Sequence, residues 1–275
     1  MVRSLWSAAT GMNAQQTNVD TIANNLSNVN TVGYKSQVAQ FKSLLYQNLQ
    51  TETTTANGEP KPTSSQVGLG VRTSSINNLF SQGALLESQS TSAMAIDGAG
   101  FFGIQNNDGE LVYTRNGDFV WALGATGDMM LTNSDGQPVL STIGQPIIIT
   151  GSANALISSQ IIIDSWGQIM YPDATGAPQP LGFRIGLWQF NNVGGLERLG
   201  NSVFAPTEAS GPALNEATNA NLRNSAIRQG YLEGSNVYVA DEMVNLIVAQ
   251  RAYELNSKAI TTSDEMLQTA NNIKR

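Results

Sequence analysis

The sequence predicts an α+β protein in which a long helix at each end flanks a central β-rich domain. Apolar residues recur every seven positions near the N-terminus and again near the C-terminus, the spacing of a helix packed at a shallow angle on other helices. Between these repeats, short apolar stretches alternate with tight-turn dipeptides, which is typical of antiparallel strands. The predicted order is therefore helix, linking segment, β domain, helix.

The first helix is expected from residue 4 to about residue 30. Two rows have a spacing of seven. One contains Leu5, Met12, Val19 and Leu26, and the other contains Ala8, Ile22 and Val29 with the polar Gln15 among them. Gly33 follows the second row, where a residue in the left-handed conformation is expected to end the helix. Asp20 is the only charged residue between Ser4 and Tyr34, so we expect this helix to be buried on more than one side.

The next two regions differ in composition. Residues 36–79 are interpreted as an extended linking segment, because residues 50–68 are rich in Thr, Ser, Gly and Pro. Residues 80–232 are predicted to form the β-rich outer domain. Its expected hairpin turns are Asp108-Gly109, Asn116-Gly117 and Asp135-Gly136, and residues 182–190 alternate as a single half-buried strand does.

The second helix is expected from residue 237 to residue 272, with a row at Val239, Leu246, Tyr253, Ile260 and Leu267. A neighbouring row, Ala252, Ala259, Met266 and Ile273, makes its apolar face broad. Residues 1–35 and 233–275 are therefore assigned to one terminal helical domain. Each helix needs a partner to cover its apolar row.

The composition excludes several classes of function. Charged residues make up 13% of the chain and the net charge is −7, with no basic cluster to neutralise a nucleic-acid backbone. The absence of cysteine and histidine excludes thiolate and imidazole chemistry. The longest apolar runs are as short as strands, so no membrane insertion is expected. We therefore predict no catalytic residue, no cofactor, no metal site and no nucleic-acid partner.

One glycine pattern could be mistaken for a cofactor site. Residues 98–103 match G-x-G-x-x-G, but the residues that follow predict a strand and a turn where a dinucleotide site needs a helix. We interpret the pattern as a bend that glycine permits, with Phe101 and Phe102 buried.

The helical rows have two interpretations. The helices could pack only on their own β domain, or they could form an assembly interface between copies. The seven-residue spacing, the nearly uncharged first helix and the positions at the two ends favour assembly. The predicted assembly interface consists of Leu5, Met12, Val19, Ile22, Leu26, Val29, Val239, Leu246, Tyr253, Ile260 and Leu267. A surface adhesin-like binding module and a hydrolase with two carboxylates are the alternatives from other classes.

Both ends of the chain carry long motifs. Residues 23–35, ANNLSNVNTVGYK, closely resemble the N-terminal signature of bacterial flagellar rod and hook proteins, and residues 230–237 and 242–258 are similar to the C-terminal signature. Residues 97–102 and 113–119 resemble motifs of the β domain in the same family. The matching positions that we single out are Asn24, Asn25, Leu26, Asn28, Gly33, Tyr34, Lys35, Arg251, Ala252, Tyr253 and Asn256.

The resemblance implies that the terminal helices pair as a coiled coil and line an inner tube, with the β domain outside. It implies a structural subunit that assembles with copies of itself into a rigid helical tube and transmits torque from motor to hook. The distal rod is the expected location, with the proximal rod or the hook as alternatives. Expected partners are other rod proteins, the hook protein, the surrounding basal-body ring proteins and the export apparatus. The resemblance also implies export into the periplasmic rod without a cleaved signal peptide, and residues 47–72 are expected to stiffen the tube.

Overall fold

The computed structural model describes residues 2–50, 65–124, 128–150, 157–173, 176–219 and 221–273. The chain divides into two compact units. The first, the helical unit, comprises Met1–Ser27, Gln37–Asn78 and Tyr238–Arg275. The second, the β unit, comprises Asn28–Ser36 and Leu79–Val237. The predicted α+β class, with a helix near each end and a β-rich centre, is confirmed.

The helical unit consists of two long helices and four strands. Its elements are α1 Val2–Ser27, β1 Gln37–Ser43, β2 Tyr46–Gln50, β3 Ser65–Gly68, β4 Val71–Asn78 and α2 Val239–Ile273. β1 pairs with β4 and β2 pairs with β3, both antiparallel. Within residues 36–79, which were interpreted as a linking segment, residues 37–78 group with the helices and include these two strand pairs. Residues 51–64, within the stretch interpreted as extended or mobile, lie outside the described residues.

The β unit contains sixteen strands among its described residues. They are β5 Leu85–Glu87, β6 Met94–Asp97, β7 Phe101–Gln105, β8 Leu111–Thr114, β9 Val120–Leu123, β10 Met129–Thr132, β11 Ile148–Ile149, β12 Ile162–Ile163, β13 Gln168–Pro172, β14 Pro178–Arg184, β15 Leu187–Gln189, β16 Glu197–Gly200, β17 Val203–Ala205, β18 Leu214–Asn215, β19 Ala226–Gln229 and β20 Tyr231–Glu233. The largest sheet has the order β16-β17-β8-β7-β15-β18. Two three-stranded sheets, β11-β10-β9 and β12-β13-β14, and the pairs β19-β6 and β20-β5 complete the unit.

Two apolar clusters form the core of the β unit. The larger is mainly aliphatic and contains Phe102 with Ile96, Ile104 and Leu131. The smaller is aromatic and contains Phe101, Tyr113, Trp188, Phe190 and Phe204, whose neighbouring rings meet mostly edge to face. Phe101 and Phe102 thus point into different clusters, as successive residues of a strand do. The predicted bend with two buried phenylalanines is confirmed, and β7 follows it where a dinucleotide site would have a helix.

Two local predictions in this unit were wrong. Asn116-Gly117 is not a hairpin turn, because β8 pairs with β7 and β17 whereas β9 pairs with β10. Glycine is needed at position 117 because a Cβ there would collide with the backbone carbonyl of Met94. Residues 182–190 do not form one strand. They divide at Ile185 and Gly186 between β14 and β15, which belong to different sheets.

Candidate assembly interface

The two long helices pack against each other in opposite directions. Ser4 and Ser263 are joined through their hydroxyl oxygens at 3.2 Å. A Cβ on Gly11 would lie 2.9 Å from Asn256 Nδ2, so Gly11 faces the amide of Asn256 at close range. Asn25 Nδ2 donates a hydrogen bond to Glu242 Oε1 at 3.2 Å. From one contact to the next, the residue number rises by seven or fourteen on α1 and falls by the same number on α2.

Asn25 is the most highly connected residue of this helix pair. Its Oδ1 accepts a hydrogen bond from the backbone N–H of Gln37 at 2.8 Å, and its Nδ2 donates to the Gln37 carbonyl at 2.8 Å as well as to Glu242. The side chain is 1% exposed. One amide therefore joins α1, the first residue of β1 and α2.

Glu242 is a half-buried acid in the first turn of α2. Burial raises the pKa of its carboxyl group, the hydrogen bond from Asn25 acts in the opposite direction, and the neighbouring charge of Asp241 raises it further. Two acidic residues at a helix N-terminus also interact favourably with the helix dipole.

The predicted interface residues differ in how deeply the structure buries them. On α1, Ile22 is buried and Leu5, Met12, Val19 and Leu26 are half-buried. On α2, Leu246, Ile260 and Leu267 are half-buried, whereas Val239 and Tyr253 are exposed. Val29 does not lie on the helix, because α1 ends at Ser27 and Val29 belongs to the turn that follows in the β unit.

A different face of α2 carries a group of exposed apolar residues. Met243, Val244, Ile247, Val248 and Leu255 are between 53% and 66% exposed. Positions 244, 247, 248 and 255 share one side of a helix, because they are separated by three, four and seven residues. We call Val244, Ile247, Val248 and Leu255 the outer row. Its residues were not among the predicted interface positions, although their helical spacing is visible in the sequence.

The described residues show neither a metal centre nor a membrane-spanning helix. None of their acidic side chains form a group of three or more that could hold a metal ion. No helix in the described part of the chain is both long and apolar enough to cross a lipid bilayer.

Three family models match separate parts of the chain. The flagella basal body rod protein model matches residues 5–35, the flagellar hook protein FlgE/F/G D1 domain matches residues 95–171, and the flagellar basal body rod FlgEFG protein C-terminal model matches residues 228–273. The chain is also 42% identical to flagellar basal-body rod protein FlgG of Borreliella burgdorferi over 100% of both chains. The chain belongs to the flagellar basal-body rod protein family.

Further relatives agree with this assignment. Proteins with the same name from Agrobacterium fabrum and Bacillus subtilis are 39% and 38% identical, covering 96% and 100% of this chain and 97% and 100% of their own lengths. The family is structural. The predictions of a rod-family structural subunit and of a protein that is not an enzyme are therefore confirmed.

The structure divides the N-terminal family motif between the two units. In the helical unit, Asn24 is exposed, Asn25 is buried and Leu26 is half-buried. In the β unit, Asn28 is half-buried, and Gly33, Tyr34 and Lys35 are buried. Gly33 has the predicted left-handed conformation, with φ of +69°. It lies beyond the turn that follows α1, so the prediction that it ends the helix was wrong.

The C-terminal family motif lies on α2. Arg251 is exposed and forms an ion pair with Glu254, 2.7 Å between Nη1 and Oε2. Ala252 is half-buried, Tyr253 is exposed and Asn256 faces Gly11. Gln16, Val19, Gln250, Tyr253 and Glu254 line a shallow groove along the two helices.

Lys35 belongs to a buried cluster of charges in the β unit. Its Nζ donates to Glu233 Oε1 at 2.6 Å and to the Ser81 carbonyl at 2.7 Å. Glu233 also accepts hydrogen bonds from Arg115 Nη1 at 3.2 Å and from the Gly83 N–H at 3.0 Å. Glu233 therefore holds together segments that are far apart in the sequence.

Burial lowers the pKa of both cations in this cluster, and the charge of Glu233 acts in the opposite direction at each. Arg115 also stacks over the ring of Phe101, with 5.0 Å between its Cζ and the ring centroid. Neither Glu233 nor Arg115 was singled out from the sequence as a site residue. No local pattern indicates an interaction between residues 118 positions apart.

Proposed function

We propose that this protein is a subunit of the distal flagellar rod that polymerises with copies of itself into a rigid helical tube and transmits torque from the motor to the hook. The observation that carries the proposal is the outer row of α2. An exposed apolar row of this size is typical of a surface that another protein covers. Full-length relatives named as flagellar basal-body rod proteins support the same function.

The outer row offers enough apolar surface to drive association. Complete burial of a Val, Ile or Leu side chain contributes about 1.5–3 kcal/mol, and more than half of each outer-row residue is still exposed. Covering four of them is therefore worth roughly 4–7 kcal/mol per contact before entropy is subtracted. In a polymer this gain recurs at every subunit.

The helical unit carries a second exposed apolar set on β2 and its preceding residue. Leu45, Tyr46 and Leu49 are all more than half exposed. Two different apolar surfaces on one subunit favour a heterologous contact, in which one surface of a copy meets another surface of the next. Heterologous contacts whose rotation does not close into a ring generate open helices, which is the symmetry that a tube requires.

In this arrangement α1 and α2 act as a coiled coil in the inner tube. The seven-residue spacing of their contacts supports such a pairing. The half-buried rows that contain Leu5, Met12 and Val19 on α1 and Leu246 and Ile260 on α2 would complete their burial against neighbouring copies, together with Leu26, Tyr253 and Leu267. The assembly interface thus consists of the predicted rows extended by the outer row.

The other rod proteins, the hook protein, the basal-body ring proteins and the export apparatus are the further partners of this proposal. Its working location is the periplasmic part of the rod, reached by export without a cleaved signal peptide. Electron microscopy of basal bodies that carry a labelled copy of this chain tests the location. Label on the distal rod is expected, and label confined to the proximal rod or the hook would contradict it.

A matched pair of substitutions tests the interface. Ile247→Glu places a charge in the outer row, and we expect it to abolish polymer formation and motility without changing the helical content of the soluble protein. Ile143→Glu makes the same chemical change at a residue of the β unit that is 83% exposed, and we expect normal polymers. Sedimentation and negative-stain electron microscopy measure the polymer. Normal assembly of Ile247→Glu would contradict the proposal.

A further inference from the structure

The contacts between α1 and α2 differ in chemistry from the apolar rows beside them. Residue 4 meets 263, residue 11 meets 256 and residue 25 meets 242, and every one of these residues is glycine or polar. The same spacing places Asn18 level with Ala249, which is 1% exposed. A line of small and polar residues therefore runs along the contact.

The apolar rows alone cannot define the register of the two helices. Val239, Leu246, Tyr253, Ile260 and Leu267 are all apolar. If α2 slid by seven residues, four of these five positions would receive another apolar residue of the same row. The burial of this row would change little, so it does not discriminate between registers that differ by one repeat.

The polar positions do discriminate between these registers. A shift of seven residues in one direction would place Glu242 level with Asn18, and a shift in the other direction would place Asn25 level with Ala249. In both cases Asn25 loses the carboxylate that its Nδ2 contacts at 3.2 Å. Because Asn25 is almost completely buried, an amide hydrogen without its partner is unfavourable there. The hydrogen bonds of Asn25 to Gln37 keep the amide in the orientation that faces Glu242.

We propose that the hydrogen bond between Asn25 and Glu242 sets the register in which α1 pairs with α2. A buried polar contact between helices that also carry apolar rows is a known means of selecting register. The register also sets the height along α1 at which α2 presents the outer row, because seven residues of helix span about 10 Å. This consequence rests on the proposed function, whereas the register itself does not.

Disulfide cross-linking measures the register directly, because the natural sequence contains no cysteine. The pair Ser4→Cys and Ser263→Cys reports the observed register. The pair Ser4→Cys and Asn256→Cys reports the shift that places Glu242 level with Asn18, and the pair Ser4→Cys and Ala270→Cys reports the shift in the other direction. Seven residues of helix span about 10 Å, whereas a disulfide needs Cα atoms within about 7 Å. We expect the soluble protein to cross-link through the first pair and not through the other two.

The register variant is Asn25→Leu combined with Glu242→Leu. We expect its helical content to persist and a shifted cross-link to rise at least about tenfold relative to the native one, as loss of a hydrogen bond to a charged group predicts. The conservative variant Glu242→Gln retains an oxygen that accepts from Asn25, and we expect it to cross-link only in the native register.

Four results would overturn the proposal. The first is that protein with Asn25 and Glu242 intact fails to form the native cross-link, and the second is that the double leucine variant forms only the native cross-link. The third is that Glu242→Gln forms a shifted cross-link, and the fourth is that the double leucine variant loses its helices. The last counts because leucines in an apolar interface are expected to preserve pairing. All measurements use soluble protein. Failure to polymerise would therefore contradict the proposed function and leave the cross-linking result valid.

Discussion

Removal of the Glu233 carboxylate is expected to be one of the most destabilising single changes in the β unit. Glu233→Ala takes away the acceptor for Lys35, Arg115 and the Gly83 N–H at once. Both cations are almost completely buried, so neither can recover its interaction from water. Breaking a buried ion pair by removal of one partner costs about 3–5 kcal/mol. That is a large share of a total stability of about 5–15 kcal/mol.

Urea unfolding of the full chain measures this loss, with Asp97→Ala as the control in the same unit. Asp97 pairs with Arg228 at 2.8 Å, but both side chains are more than 40% exposed. Exposed pairs contribute about 0–1 kcal/mol, so the control is expected to unfold near the wild-type midpoint. Equal losses in the two variants would refute the reasoning.

The pH dependence of the same variant gives an independent check. Burial lowers the pKa of Lys35, and loss of the Glu233 charge lowers it further. The unfolded chain then binds more protons than the folded chain below the usual lysine pKa of about 10.4, so folded stability rises with pH in this range. The deficit of Glu233→Ala is therefore expected to shrink between neutral and alkaline pH. A deficit that grows with pH would contradict this account of the cluster.

Three further predictions follow from single positions or segments. Gly33→Ala is expected to lower the thermal unfolding temperature more than Gly144→Ala. Both glycines have positive φ, but only at Gly33 would a Cβ meet backbone, 2.6 Å from Asn116 N. Equal decreases in the unfolding temperature would contradict the close contact. Glu242→Gln is expected to stabilise the helical unit at neutral pH and to lose that advantage as pH falls toward about 4.3, because burial raises the pKa of Glu242 and its ionisation opposes folding. Circular dichroism of the variant and the wild type against pH tests this. A difference in helical content that stays constant with pH would refute it. Deletion of residues 50–66 is expected to lower the bending stiffness of the assembled tube in electron micrographs, and unchanged stiffness would remove the stiffening role of this segment.

The helices were predictable because their signal is local. Seven-residue spacing places side chains on one side of a helix whatever the rest of the chain does, so the bounds of α1 and α2 agree with the prediction within a few residues. The face that stays exposed was not predictable from this spacing. Which side of α2 meets α1 depends on partners such as Asn25 and Glu242, more than 200 positions apart. The outer row lies on the side of α2 that this pairing leaves exposed.

In the β unit, local sequence signals predicted strands better than they predicted the contacts between distant residues. The Asp108-Gly109 turn located strand β8 and its pairing with β7, but not its pairing with β17, since that pairing depends on contacts between distant residues. Asn116-Gly117 has the composition of a hairpin turn, yet its glycine is needed for a close approach to Met94. The buried Glu233 could not be recognised either, because an isolated Glu in a polar motif is usually a surface residue.

The central claim is that the outer row of α2 becomes buried between subunits. Hydroxyl-radical footprinting of Val244, Ile247, Val248 and Leu255 in the soluble protein and in the sedimented polymer tests it most directly. The account predicts high reactivity in the soluble protein and a strong loss of reactivity at all four residues in the polymer. Polymers in which these side chains stay as reactive as in the soluble protein would contradict it.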